Sequence, residues 1–201
     1  MPQVNPDNGG NWGIMGGAFD PIHNGHLILA DSAFEALGLD GVLFIPSYNP
    51  PHRSSKPIAS FEDRVKMTEL AIEDKNKYCL SRIEESITGP CYTLSIIENL
   101  KSKYPKANWF IILGADNIVL FDSWYKPGEI VKYAKVVVGG RPGFNSNYKK
   151  SIWYNKVRHF DMPQTDISST TIRQLLKDKK PIESLLPNSI SKYIQDKGLY
   201  Q

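Results

Sequence analysis

Cysteine is scarce in this chain: among 201 residues there are two, Cys79 and Cys91. They could form one bridge at most, and neither C-x-x-C nor a Cys/His spacing suited to a metal occurs. A disulfide scaffold and a zinc module are therefore excluded, and both thiols read as reduced structural residues. Long apolar runs are missing as well. No stretch approaches the roughly 20 apolar residues of a membrane-spanning helix, so no membrane partner is expected. The opening M-P-Q-V-N-P-D-N-G-G lacks the basic start and apolar stretch of a secretory signal. The expectation is a cytoplasmic protein with residues 1–11 as a flexible lead-in and one domain over residues 12–201. Internal repeats and low-complexity segments are absent too.

Charge is unevenly spread beneath a net value of +3. Residues 1–100 hold 7 Lys+Arg against 13 Asp+Glu, and residues 101–201 hold 17 against 8. A basic half suits nucleic acid, polyphosphate or a solvated face. Here the lysines are scattered, with only Lys149-Lys150 and Lys179-Lys180 paired, which favours the solvated face and argues against a nucleic-acid partner.

What is present is an alternation. Residues 12–15 are apolar, and Leu27, Ala30, Ala33, Phe34 and Leu37 follow at the spacing of one helix face. Residues 41–45, 109–113 and 135–138 are continuous apolar runs rich in β-branched or aromatic side chains, the pattern of strands buried on both faces. Shorter strands are expected at 78–82 and near 156–160. Helices are expected from Ser60-x-x-Asp63, a capping-box pattern, with Phe61, Val65, Thr68 and Ile72 on one face, and at 92–101, 127–132, 170–177 and 189–197. Strands alternating with helices imply an α/β fold: a doubly wound, Rossmann-like parallel sheet with helices on both faces, in a single domain. Three of the four clearest strands run into G-G-A-F-D-P-I-H-N-G-H, G-A-D-N and G-G-R-P-G, so these loops are expected to share the rim beyond the strands' carboxyl ends.

The stretch at residues 16–27, G-G-A-F-D-P-I-H-N-G-H-L, holds most of the chemistry. A glycine pair straight after a strand lets a ligand approach the backbone, and the helix that follows offers unpaired amides, an arrangement that favours phosphate. It fits neither G-x-G-x-x-G nor a P-loop. His23 and His26, three apart, are two ligands where zinc needs more; beside a phosphate cradle they suit donors to phosphate oxygens.

These residues carry a resemblance. G-A-F-D-P-I-H-N-G-H at 17–26 resembles the H-x-G-H signature of the nucleotidyltransferase superfamily, and I-S-S-T-T-I-R at 167–173 resembles the I-S-S-T-x-I-R motif of its adenylyltransferases. Four further stretches are similar to bacterial nicotinate-nucleotide adenylyltransferases: P-S-Y-N-P-P-H-R at 46–53, Tyr92-Thr93, L-G-A-D-N at 113–117 with Trp124 downstream, and V-G-G-R-P-G at 138–143. Phosphopantetheine adenylyltransferase shares the H-x-G-H logic but lacks the P-P-H-R and G-A-D-N…W pattern. A nucleotide sensor or nucleic-acid binder is the alternative from another class, and steeply salt-dependent binding without turnover would mark it.

The resemblance implies transfer of AMP from ATP to the 5′-phosphate of nicotinate mononucleotide, yielding the dinucleotide precursor of NAD and pyrophosphate. His23, His26 and Arg173 would be catalytic. ATP would lie against Gly16, Gly17, Ala18, Phe19, His23, His26, Gly114, Asp116, Ile167, Ser169, Thr170 and Arg173. The mononucleotide would meet Asn49, His52, Arg53, Thr93 and Trp124. Mg²⁺ would ride mainly on the ATP phosphates, with no dedicated protein metal site. Ala18 departs from the Thr or Ser usual there, which removes a hydroxyl contact to the triphosphate. Oligomeric state stays open between a monomer and a small homo-oligomer.

Overall fold

The computed structural model describes residues 5–48, 57–140 and 148–201. Six strands form one parallel sheet: β1 (Gly10–Gly17), β2 (Gly41–Pro46), β3 (Tyr78–Leu80), β4 (Ala107–Gly114), β5 (Lys135–Gly140) and β6 (Arg158–Asp161). Their order is β3-β2-β1-β4-β5-β6. That is the doubly wound order, whose direction of winding reverses between β1 and β4 and leaves a crevice at their carboxyl ends.

The helices are α1 (Asn24–Leu37), α2 (Phe61–Ile72), α3 (Thr93–Lys103), α4 (Ala115–Leu120), α5 (Pro127–Tyr133), α6 (Ser169–Lys177) and α7 (Asn188–Lys197). None of those described is long and apolar enough to cross a membrane. Two cores lie on the two sides of the sheet, as alternate side chains of each strand require. One gathers Phe44, Phe110, Ile112 and Val137 against Ala30, Ala33, Met67, Ile172 and Ile190. The other gathers Trp12, Ile14, Leu43, Trp109 and Ile111 against Ile97, Leu100, Ile118 and Ile130. Trp12, Trp109 and Trp153 are buried, as are both free cysteines.

Local chemistry sets the element ends. Ser60 caps α2 by accepting from the Asp63 amide at 3.1 Å and donating to its carboxylate at 2.5 Å. Ser168 caps α6 by accepting from the Thr171 amide at 3.1 Å. Gly38 ends α1 in the left-handed region, where a β-carbon is penalised. Gly41 sits under the Trp12 ring in the β1–β2 register, so close that a β-carbon there would collide with it.

Two expectations change. The lead-in expected as flexible over residues 1–11 is structured from Asn5: residues 6–8 form a 3₁₀ turn with Pro6 buried, and β1 begins at Gly10, paired with Ala107 of β4. Residues 1–4 lie outside the described residues. Secondly, the G-A-D-N segment expected as a loop opens α4, so Asp116 stands in a helix's first turn just beyond β4.

Candidate active site

β1 and β4 end at Gly17 and Gly114, and the loops that follow them meet at the carboxyl ends of the sheet; of the third loop expected on this rim, G-G-R-P-G, residues 141–143 lie outside the described residues. A cavity of about 610 Å³ opens there. Gly16, Gly17, Ala18, Phe19, His23 and His26 line it from the β1–α1 side, Gly114 and Asp116 from β4–α4, and Ile167, Ser169, Thr170 and Arg173 from α6, with Trp124 at its edge. The two ends of the sequence pattern thus face each other across one space.

A second cavity of about 360 Å³ adjoins it, and Gly16, Gly17, Asn117 and Trp124 line both. Its walls include Thr93, Cys91, Tyr92 and Tyr125; the two tyrosine rings stack at 4.5 Å. Trp124 leans on buried Phe121 at 5.2 Å, so its indole is braced from behind. Asn49, His52 and Arg53 lie outside the described residues.

The histidines stand at the start of α1, where His23 is the N-cap. The His23 amide donates to His26 Nδ1 at 3.2 Å, and the rings stack at 3.7 Å. Phe19 meets the His26 ring edge-on at 5.1 Å. Burial alone lowers His23 to about 4, because a charged imidazole has lost its water. At neutral pH it is therefore an uncharged donor or acceptor and not a fixed cation. Gly16 is exposed, and no atom lies within 4 Å of where its β-carbon would be, so a ligand can come up against the backbone.

The α6 residues are partly engaged with the loop. Arg173 Nη1 donates to the Asp20 carbonyl oxygen at 2.7 Å, and Ser169 Oγ donates to the Pro21 carbonyl at 2.9 Å. Arg173, expected to reach forward to phosphate, here also ties α6 to the β1–α1 loop.

Sequence reasoning missed the side chains that fix this loop. Asp20 is buried; its carboxylate accepts from the Ile58 amide at 2.8 Å, the Ala59 amide at 3.0 Å and the Tyr200 hydroxyl at 2.8 Å. Arg64 is buried too, donating to the carbonyls of Ala18 at 2.7 Å and Ser47 at 2.8 Å. Arg64 had a signal: three after Phe61 and four before Thr68, it falls on the apolar face of α2. Tyr200 had none beyond lying just past Gly198.

Residues 14–175 match the cytidylyltransferase-like family model. The nicotinate-nucleotide adenylyltransferase of Bacillus subtilis (strain 168) is 36% identical over 189 residues, covering 94% of this chain and 97% of that protein. The solved structure of Plasmodium falciparum nicotinic acid mononucleotide adenylyltransferase complexed with NaAD superimposes with a TM-score of 0.76 at 22% identity, covering 94% of this chain and 97% of that one. A second structure of that protein, complexed with APC, gives 0.73 at 20% identity. At such identity these two speak for the fold alone. With most of its length matched by the family model and by relatives more than a third identical, the chain belongs to the cytidylyltransferase-like family, as a member of its nicotinate-nucleotide adenylyltransferases.

Proposed function

We propose that the protein transfers AMP from ATP to the 5′-phosphate of nicotinate mononucleotide and releases pyrophosphate. The observation that carries this reading is the pair of joined cavities: one lined by both sequence motifs and rich in N–H donors, the other walled by aromatic rings. The B. subtilis relative bears the name of this activity.

The chemistry asks little of a base. A phosphate monoester with a second pKa near 6 is largely dianionic at neutral pH, so its oxygen can attack the α-phosphorus as it stands. A bond from that oxygen to the α-phosphorus forms as the bond to the bridging oxygen breaks, and pyrophosphate departs with the electron pair. The protein's task is alignment and charge stabilisation. Gly16 and Gly17 would admit the α-phosphate, while neutral His23 and half-buried His26 donate to its oxygens. Thr170, Arg173 and the α6 amides would receive the β- and γ-phosphates. Asp116 would accept ribose hydroxyls, and Phe19 and Ile167 would flank the nucleotide.

Magnesium fits as a companion of the triphosphate. Among the described residues no group of three or more His, Cys, Asp and Glu could hold an ion, and the Asp20 carboxylate is taken up by two amides and Tyr200. Bound to the phosphates, the ion would neutralise the leaving pyrophosphate while keeping most of its waters.

Acceptor choice would rest on the second cavity. No side chain caps the start of α3 at Tyr92, and the first-turn amides around Thr93 would be offered to an anion beside Trp124. A nicotinate carboxylate answers that better than a nicotinamide. The test is kcat/KM for both mononucleotides with ATP and magnesium, followed by pyrophosphate release. Preference for the nicotinate form is expected; no turnover with either would overturn the reading.

A further inference from the structure

Among the described residues, four non-glycine residues have left-handed backbone: Phe19, Lys126, Lys179 and Tyr200. Two of them converge on one carboxylate, since Phe19 precedes Asp20 and Tyr200 donates to it. A β-carbon in that region persists only where the surroundings over-determine it. Here the surroundings are a buried tyrosine ring from beyond α7 and a buried aspartate in the β1–α1 loop, 180 residues apart.

The carboxylate is shared in an ordered way. Oδ1 accepts from the Ala59 amide and the Tyr200 hydroxyl, and Oδ2 from the Ile58 amide. Arg173 Nη1 lies 3.7 Å from Oδ2, beyond hydrogen-bond length, and is instead bound at 2.7 Å to the backbone carbonyl of the same residue. Three neutral donors occupy the carboxylate, two of them on Oδ1, and it closes no bidentate pair with the guanidinium. The other nitrogen, Nη2, stays beside Thr170 Oγ1 at 3.4 Å, on the wall of the larger cavity.

We propose that Asp20 and Tyr200 are positioning residues for Arg173, with the Tyr200 hydroxyl holding the Asp20 carboxylate so that the guanidinium faces the nucleotide phosphates. This rests on the reading of Arg173 as a phosphate-binding group. Without the hydroxyl, Oδ1 keeps one amide donor, and its less compensated charge draws Arg173 out of the cavity.

A double-mutant cycle tests it, because groups that act through one another are not additive. Tyr200→Phe should lower kcat about tenfold, a common coupling within one hydrogen-bond network, and leave the acceptor KM unchanged. In an Arg173→Ala background the same change should do nothing further. Tyr193→Phe, which removes the hydroxyl that donates to Asp63 from α7 at 2.9 Å, is the control and should leave kcat at the wild-type value. Each variant is assayed well below its own Tm. Wild-type kinetics in Tyr200→Phe, an equal loss in both backgrounds, or a matching loss in Tyr193→Phe would overturn the proposal. A wild type that binds ATP but does not turn over with nicotinate mononucleotide would strike only the acceptor reading. The cycle is then read from the Kd for ATP, with the same non-additivity expected and additivity overturning it.

Discussion

Acidification should destabilise this protein through a histidine of its candidate active site. His23 is 6% exposed, and burial lowers its imidazole from 6.5 to about 4. An unfolded chain takes up that proton near pH 6.5, whereas the folded chain resists until about pH 4. Between those values the unfolded state binds more protons, so stability rises with pH and falls on acidification. The penalty is nearly absent at pH 7 and reaches about 2 kcal/mol at pH 5, approaching a ceiling of roughly 3 kcal/mol below pH 4. Carboxylates titrate in the same range, so the measurement is a difference: urea unfolding of wild type and His23→Asn at pH 7, 6 and 5. Relative to the variant, wild type should lose about 2 kcal/mol between pH 7 and 5. A difference that stays constant with pH would refute the claim that His23 is held neutral by burial. The catalytic corollary is that no loss of turnover above pH 5.5 should trace to protonation of His23, which distinguishes a neutral donor from a cation that must be charged to work.

Other substitutions separate the cradle from the scaffold. His26→Ala should cut kcat roughly a hundredfold, the usual effect of losing one preorganised donor, and cost about 1 kcal/mol of stability because it also removes the acceptor of the His23 amide at the start of α1. Gly16→Ala meets no atom within 4 Å and should leave Tm unchanged while raising the KM for ATP. Gly41→Ala, under the Trp12 ring, should do the reverse: a loss of about 1–3 kcal/mol by overpacking, seen as a lower urea midpoint, with kinetics preserved in the folded fraction. Trp124→Ala should raise the acceptor KM by about tenfold or more, as removal of one aromatic stacking partner typically costs about 1–3 kcal/mol.

How legible each feature was in the sequence follows from how local its cause is. Strands β1, β2, β4 and β5 carry apolar runs because they are buried on both faces, and burial leaves its mark residue by residue. Most helices declared themselves by period, and Ser60 caps α2 where the capping-box pattern placed it. Helix α4 did not, because six residues make under two turns, too few to display a period, and its first turn is spelled G-A-D-N. The start of the domain was misplaced for a similar reason: Gly10 and Asn11 join β1 through backbone hydrogen bonds to β4, and backbone pairing needs no apolar side chain.

The site divides along the same line. His23, His26 and Arg173 could be named because motifs preserve chemistry in a fixed order, and all three face one cavity. What holds them could not, because it is assembled across the chain: Arg64 from α2, residues 58 and 59 ahead of it, Ser169 from α6 and Tyr200 from beyond α7 all grip residues 18–21. With Arg173 on the Asp20 carbonyl, six residues of other elements hydrogen-bond this loop, which can be rigid and still open to a ligand. Its freedom of conformation lies in the glycines, and its order comes from groups on distant elements. Ala18 shows the consequence. Its methyl is buried, and its carbonyl is held by Arg64 Nη1, so the position contributes to the cradle's shape through the backbone. The absence of a hydroxyl there leaves intact the hydrogen bonds that hold the loop.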